Sequence, residues 1–421
     1  MEPHLHSWTP NVSTEAIWKS LSRESFCAIF DVDEWRIGAL SSSSEWWYQG
    51  PEWTDLSPFT APLVQLPNNH IAPPPFLEGL LAIISFDGLL HGWIADHSMA
   101  YHKPSNQWYF WGTSEQFQTI LSMISETQSH SSQIAQQDLV GHSMTQAQYE
   151  NTVTTVQEAI KNGNVYQINL AHRIGPYTIA NPITTWLDLT DDNPAQHACF
   201  WKTPTEILLG NSPELFLKFG ANGAVSSVPI KGTHADIGNP QAHFELWDSP
   251  KEHAELTMIV DMMRNDISSI SEYGSVFTEH RQIRRCGDLL HAEQKVMGQR
   301  KSGMSILKAV HACFPPASVT GAPKEAALSY IRNLEPVNRG WYTGSFGFVD
   351  KRGHSEWNVI IRTLQGKQNN DGSMSAYLNI GAGIVYDSIA AAEWFETMNK
   401  GRAIERTLTK ETKETKETKE T

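Results

Sequence analysis

Apolar and polar positions fall into two regimes along this chain. Short apolar runs with Pro, Gly and Ser between them fill the first third, and longer stretches of helical or strand period follow. Phe26–Val32, Leu80–Phe86 and Trp108–Gly112 are runs of strand length, set apart by punctuation such as S-S-S-S at 41–44 and P-P-P at 73–75. They predict a strand-rich N-terminal subdomain over 1–126, closed by a helix at about Glu115–Glu126. Residues 127–143, which include T-Q-S-H-S-S-Q-I-A-Q-Q, carry neither period and predict a linker to a larger domain over 144–408.

Within that domain, Thr145–Asn162 repeats apolar residues at Tyr149, Val153, Val156 and Ile160, a helical stripe stopped by Gly163. Val165–Arg173 alternates apolar and polar residues and predicts a strand with one buried face. Leu215–Phe219 and Ala224–Ile230 flank Gly220-Ala221-Asn222-Gly223, a reversal that needs positive φ, so the pair predicts a β-hairpin. With Phe219 opposite Ala224, Glu214 would face Pro229, and Lys231 would be its diagonal neighbour about 7–8 Å away. Ser249-Pro250 opens a helix with the stripe Leu256, Ile259, Val260 and Met263, and about Ala390–Ala403 predicts another.

Pro323 stands near the first position of an alanine-rich helix that ends near Ile331, leaving N–H groups at Thr320–Ala322 to face an anion. Trp341–Val349 and Asn358–Leu364 predict adjacent strands joined by a turn at Asp350–His354. Ala376–Val385 predicts a strand interrupted by Gly381 and Gly383, which either mark a bulge or let backbone N–H groups approach a ligand. The T-K-E repeat of 409–421 has no apolar residue and predicts a disordered tail.

Composition acts mainly by exclusion. Lys+Arg number 32 against 46 Asp+Glu, a formal charge of −14, and no basic run is interleaved with aromatics. Nucleic acid and anionic membrane surfaces are therefore not expected partners. An acidic chain binds an anionic metabolite only where a metal ion or a few local cations reverse the field. Cys27, Cys199, Cys286 and Cys313 are scattered without a C-x-x-C and read as reduced thiols. Met1–Ser20 lacks the basic start and apolar core of a signal peptide, and no long apolar run spans a bilayer, so a cytoplasmic soluble protein is expected.

By residue type alone, Glu214 and Lys231 could be an exposed pair worth little. Glu252 with Glu255, and Glu393 with Glu396, sit three apart in first helical turns, where the helix dipole favours carboxylates in any protein, and Glu396 with Lys400 could be an i,i+4 pair. Arg362 lies in a stretch otherwise fit for burial and needs an anion, from the protein or from a ligand.

Four strings change the weight of these residues: S-P-E at 212–214, P-I-K-G-T at 229–233, S-V-T-G-A-P-K at 318–324 and G-A-G-I-V at 381–385. They resemble motifs of the chorismate-utilising enzymes. P-I-K-G-T resembles in particular the aminodeoxychorismate synthase component I branch, since anthranilate synthases carry alanine at the lysine. The resemblance covers roughly Met144 to Arg406 and departs at Pro316-Ala317, where relatives carry G-G, and at the A-E-Q after His291, where they carry L-V-S.

The resemblance implies an α+β fold of two large stacked, mainly antiparallel sheets surrounded by helices, completed by the N-terminal segment. It implies Mg²⁺ held by Glu255 and Glu396, with Glu252 and Glu393 in support. Arg362 and the Gly381 and Gly383 backbone would hold the enolpyruvyl carboxylate, with Gly232, Thr233, Thr320 and Lys400 also on the substrate. Glu214 would protonate the departing hydroxyl, Lys231 would add covalently to the ring, and His291 would lie near the ring hydroxyl. Gln167 stands where water-using relatives carry a lysine, and an amide cannot act as a base, which disfavours water as nucleophile.

The activity implied is amination of chorismate to 4-amino-4-deoxychorismate for p-aminobenzoate and folate synthesis. Ammonia would come from a separate glutamine amidotransferase subunit, because no glutaminase cysteine motif is present. The alternatives are anthranilate synthase component I, which should have alanine at position 231, and a non-catalytic chorismate-binding relative.

Overall fold

The computed structural model describes residues 3–41, 47–49, 74–125, 141–235, 241–286 and 289–417. Among these residues the protein is α+β, with sheets of twelve, nine and three strands and helices packed around them. The expected 127–143 linker lies almost wholly outside the described residues, and strands from either side of it share both large sheets. Cys27–Val32 pairs with His197–Lys202 in the twelve-stranded sheet, and Gly79–Ile84 pairs with Ser345–Asp350 in the nine-stranded one.

The two large sheets stack through aromatic side chains. Phe30 of one sheet meets Phe346 and Phe348 of the other at ring-centroid distances of 5.5 and 5.4 Å, and Trp93 meets Trp201 at 5.8 Å. All five are buried, each ring being worth on the order of 2–3 kcal/mol of burial.

Local signals place the helices as the sequence implies. Thr145 and Gln148 form a reciprocal capping box on Gln146–Lys161, and the Ser249 side chain accepts from Glu252 N–H with Pro250 next, opening Pro250–Ile270. The last helix runs Ala390–Glu417, well into the T-K-E repeat expected to be disordered. Lys and Glu are good helix formers, so a helix already packed on the sheet continues into them.

Three strand expectations are corrected. The 167 strand extends to Ile179. In the hairpin Phe219 pairs with Val225, one residue off the expected register, with an irregularity between Leu215 and Lys218. After Val228 the chain leaves this sheet, because Pro229 has no N–H for the ladder, and Ile230–Ala235 joins the three-stranded sheet. The expected Asn358–Leu364 strand is two pieces: Ser355–Asn358 ends in the nine-stranded sheet, and Thr363–Gln368 begins in the twelve-stranded one. Apolar periodicity cannot report a change of sheet.

Candidate active site

Two antiparallel strands of the large sheet, Gln167–Ile179 and Met374–Ile384, form the floor, with Asn169 opposite Gly383 and Ala171 opposite Gly381. The register is unbroken at both glycines, so the expected interruption there is absent; the irregularity falls between Ile174 and Tyr177. The glycines act through their missing side chains. A Cβ at Gly383 would stand 2.4 Å from Gln167 Nε2 and 3.3 Å from Lys231 Nζ, and one at Gly381 would stand 2.8 Å from Asn169 Oδ1. Lys400 Nζ donates to the Gly381 carbonyl at 2.9 Å and pairs with Glu396 at 2.8 Å.

Lys231 reaches this floor from the small sheet, where it lies opposite Ala292 and Thr233 lies opposite His291. Gly232 between them has φ 73°, and a Cβ there would stand 2.7 Å from Leu246 Cδ1 and 2.8 Å from Glu252 Oε2. Only glycine fits both the backbone and the space.

Glu214 is buried at 5% exposure, not the exposed partner of a surface pair. Burial pushes its carboxyl up to about 7, against the Ser318 hydroxyl bond and the fields of Lys231, His197 and Arg362, which pull it down. The field of Lys231 reaches Glu214 from the three-stranded sheet and not along one hairpin ladder. His291 is buried, and its Nδ1 lies 3.3 Å from the Gly232 carbonyl, to which it donates. Burial, then Arg362, lower its pKa to about 4, so the ring is neutral near pH 7.

Arg362 is half-buried in the crossing between sheets, with φ 51°, and its carbonyl accepts from Asn211 N–H at 3.1 Å. A non-glycine residue in this left-handed region costs on the order of 1 kcal/mol. Of the N–H groups at Thr320–Ala322 expected to face an anion, that of Thr320 is turned inward. Thr320 N–H donates to Ala317 and its hydroxyl to Pro316, while Gly321 and Ala322 pair with Ile168 and Gln167.

The four glutamates lie on two helices. Glu393 is buried and accepts from the Ser388 hydroxyl at 2.7 Å, and Glu396 holds the Lys400 pair. Among the described residues no group of three or more His, Cys, Asp or Glu side chains is gathered closely enough to hold a metal ion. In kind, the all-carboxylate donor set fits a hard divalent cation such as Mg²⁺.

Two residues carry more here than sequence reasoning assigned them. Ser318 bonds Glu214, and it sits inside S-V-T-G-A-P-K, so the string marked it without its role. Asn169, two residues beyond Gln167 on the same strand face, had no signal beyond the alternation of V-Y-Q-I-N-L.

Fold and site together define a class: an antiparallel two-sheet α+β protein with a lysine over a glycine floor, a buried proton-holding carboxyl and a neutral histidine. The chain belongs to the chorismate-binding enzyme family, whose model matches residues 85–406. It is 33% identical over 265 residues to anthranilate synthase component 1 1 of Haloarcula marismortui, covering 62% of this chain and 53% of that protein. It is 31% identical over 265 residues to aminodeoxychorismate synthase component 1 of Bacillus subtilis, covering 62% of this chain and 55% of that protein. The chain thus spans about half the length of these curated relatives. The fold is shared with the menaquinone-specific isochorismate synthase MenF from Escherichia coli, at TM-score 0.75 and 16% identity over 97% of this chain and 94% of that one. No helix among the described residues is long and apolar enough to cross a membrane.

Proposed function

We propose that this protein aminates chorismate to 4-amino-4-deoxychorismate. The observation that carries this reading is the Lys231 amine held over the bare Gly383 backbone, in a site where Glu214 keeps a proton up to about pH 7. An amine and an acid so placed serve covalent substitution at a ring carbon that bears a hydroxyl. Lys231 Nζ forms a bond to the ring as the C–O bond breaks, and Glu214 gives its proton so that the hydroxyl leaves as water. Ammonia then forms the new C–N bond as the lysine departs as an amine. His291, held neutral, adds no charge beside the ring hydroxyl.

Arg362 and Lys400 supply positive charge for the substrate carboxylates, with Gly232, Thr233 and Thr320 shaping the surrounding backbone. Mg²⁺, held by Glu255 and Glu396 with Glu252 and Glu393 behind them, would add charge for the ring carboxylate. Ammonia is supplied by a separate glutamine amidotransferase subunit.

A second reading, formation of anthranilate, is favoured by the names of relatives at 33–35% identity. Chorismate, Mg²⁺ and ammonium with the purified protein, followed by an aminodeoxychorismate lyase and chromatography, separate the two. p-Aminobenzoate that requires the lyase supports the proposal, and anthranilate formed without it overturns the proposal. Lys231→Ala is expected to lower amination by at least about 100-fold, as loss of a covalent nucleophile does; unchanged amination with ammonia would remove the covalent role.

A further inference from the structure

One edge of the floor strand Gln167–Ile179 is closed in part by side chains instead of by a neighbouring strand. Gly321–Ala322 pairs with it only at Gln167 and Ile168, and Gly141–His142 only at Ile174 and Gly175. Between these short partners the Asn169 carbonyl accepts from Arg339 Nη2 at 2.7 Å, and Ala171 N–H donates to Glu335 Oε1 at 2.9 Å. Arg339 and Glu335 are an ion pair at 2.6 Å with side chains 1% and 4% exposed. The pair thus satisfies backbone groups that would otherwise be buried without partners.

Arg339 does more than close that edge. A guanidinium has five N–H bonds, and all five are used. Nε donates to Glu335 Oε2 at 2.9 Å, Nη1 to the Val319 carbonyl at 3.0 Å and the Thr343 hydroxyl at 3.1 Å, and Nη2 to Asn169 and Glu335. Val319 follows Ser318, whose side chain bonds the Glu214 carboxyl. Thr343 has φ 61°, a conformation that β-branched residues rarely adopt, and its N–H donates to the Ile360 carbonyl at 2.7 Å, two residues before the Arg362 crossing. One buried cation therefore ties the floor strand to the turn behind Glu214 and to the segment before Arg362.

We propose that Arg339 is a positioning residue: by bridging the Val319 and Asn169 carbonyls it fixes the turn that keeps the Ser318 hydroxyl on Glu214. The inference rests on the reading of Glu214 as the acid of the reaction. Lysine would keep the charge, but with three donors and no planar fork it cannot hold acceptors from four segments at once. A hydrogen bond to a carboxylate favours the ionised form, so a slack turn raises the proton affinity of Glu214. Lys231, His197 and Arg362 also act on Glu214, and the test alters none of them.

The test titrates Glu214 in the full chain by infrared spectroscopy, following the protonated-carboxyl stretch that Glu214→Gln removes. Amination with Mg²⁺, chorismate and ammonium is measured beside it at constant free ammonia. Ser318→Ala and Arg339→Lys are each expected to move the midpoint up by about one pH unit, the size of one hydrogen bond to a charged group. The double variant should move it no further than either alone, since both act on one bond. Arg339→Lys should also lower kcat in the acid range by about tenfold or more. Should that variant not fold, Arg339→Met with Glu335→Gln removes both charges together, leaves an acceptor for Ala171 N–H, and is expected to do the same. An unmoved midpoint in the folded Arg339 variant or in Ser318→Ala would overturn the proposal, as would an unchanged kcat. So would a further rise in the double variant, which would route the effect through Arg362. A parent protein that makes no amino product would fail the functional reading instead, and the infrared midpoints would still decide the role of Arg339.

Discussion

Replacing Glu214 with Gln removes a proton that the fold holds on to. The carboxyl is 5% exposed, and burial raises its pKa from 4.5 to about 7. At about 1.4 kcal/mol per tenfold change in proton affinity, the folded state disfavours the ionised form by about 3 kcal/mol. Between about pH 4.5 and 7 the folded chain binds a proton that the unfolded chain has released, so stability falls as pH rises through this window. Below it the group costs nothing, and above it the whole cost is present. Gln does not titrate and its oxygen can still accept the Ser318 hydroxyl. Glu214→Gln is therefore expected to exceed the parent in stability by about 2–3 kcal/mol near pH 8 and to gain little near pH 4.5, read from urea unfolding at both values.

Activity should move the other way. Losing the proton donor is expected to lower amination by about 10²–10⁴-fold. The parent's rate, measured at constant free ammonia, should fall as pH rises through about 7, as the acid form is lost. A stability gain that is the same at both pH values, or a parent rate flat through that pH at constant ammonia, would refute the reasoning.

Gly383→Ala places a methyl 2.4 Å from Gln167 Nε2 and 3.3 Å from Lys231 Nζ. These are flexible side-chain ends, so melting should change by no more than about 1 kcal/mol while amination falls about tenfold or more, as misplaced reacting groups imply; unchanged turnover would mean that neither end needs its present position. His172, like His291, is buried with a pKa lowered to about 4 by desolvation. A depressed histidine contributes stability above about 6.5 that is lost as pH falls towards 4, so His172→Gln should show up to about 3 kcal/mol less loss across that window in urea titrations. Glu255→Gln and Glu396→Gln should each raise the Mg²⁺ concentration needed for half-maximal rate by about tenfold or more, and an unchanged Mg²⁺ curve would remove them as ligands.

The helices and the chemical strings were legible because their causes are local. Ser249 caps Pro250–Ile270 from the residue next door, and Thr145 does so for Gln146–Lys161 with Gln148 three residues on. Val165–Arg173 and Ala376–Val385 were visible as strands for the same reason, since alternation is a property of neighbours. The Lys231 motif was equally plain. Its geometry was not, because the hairpin extrapolation assumed one continuous ladder and Pro229 ends it.

Arg362 shows the limit most clearly. Its neighbours read as one strand, yet the chain turns through φ 51° there to pass from one sheet to the other. Asn169 and Ser318 are similar cases, since each matters for what a segment distant in sequence brings to it, Gly381 for one and Glu214 for the other. Residue type, period and caps act over a few residues, and so the chain alone established the elements, the family resemblance and the inventory of lysine, acids and glycines. Which of these meet, which are buried and which way a pKa moves depend on sheet pairing across hundreds of residues and on exclusion of water, and those arise only when the sheets close on one another.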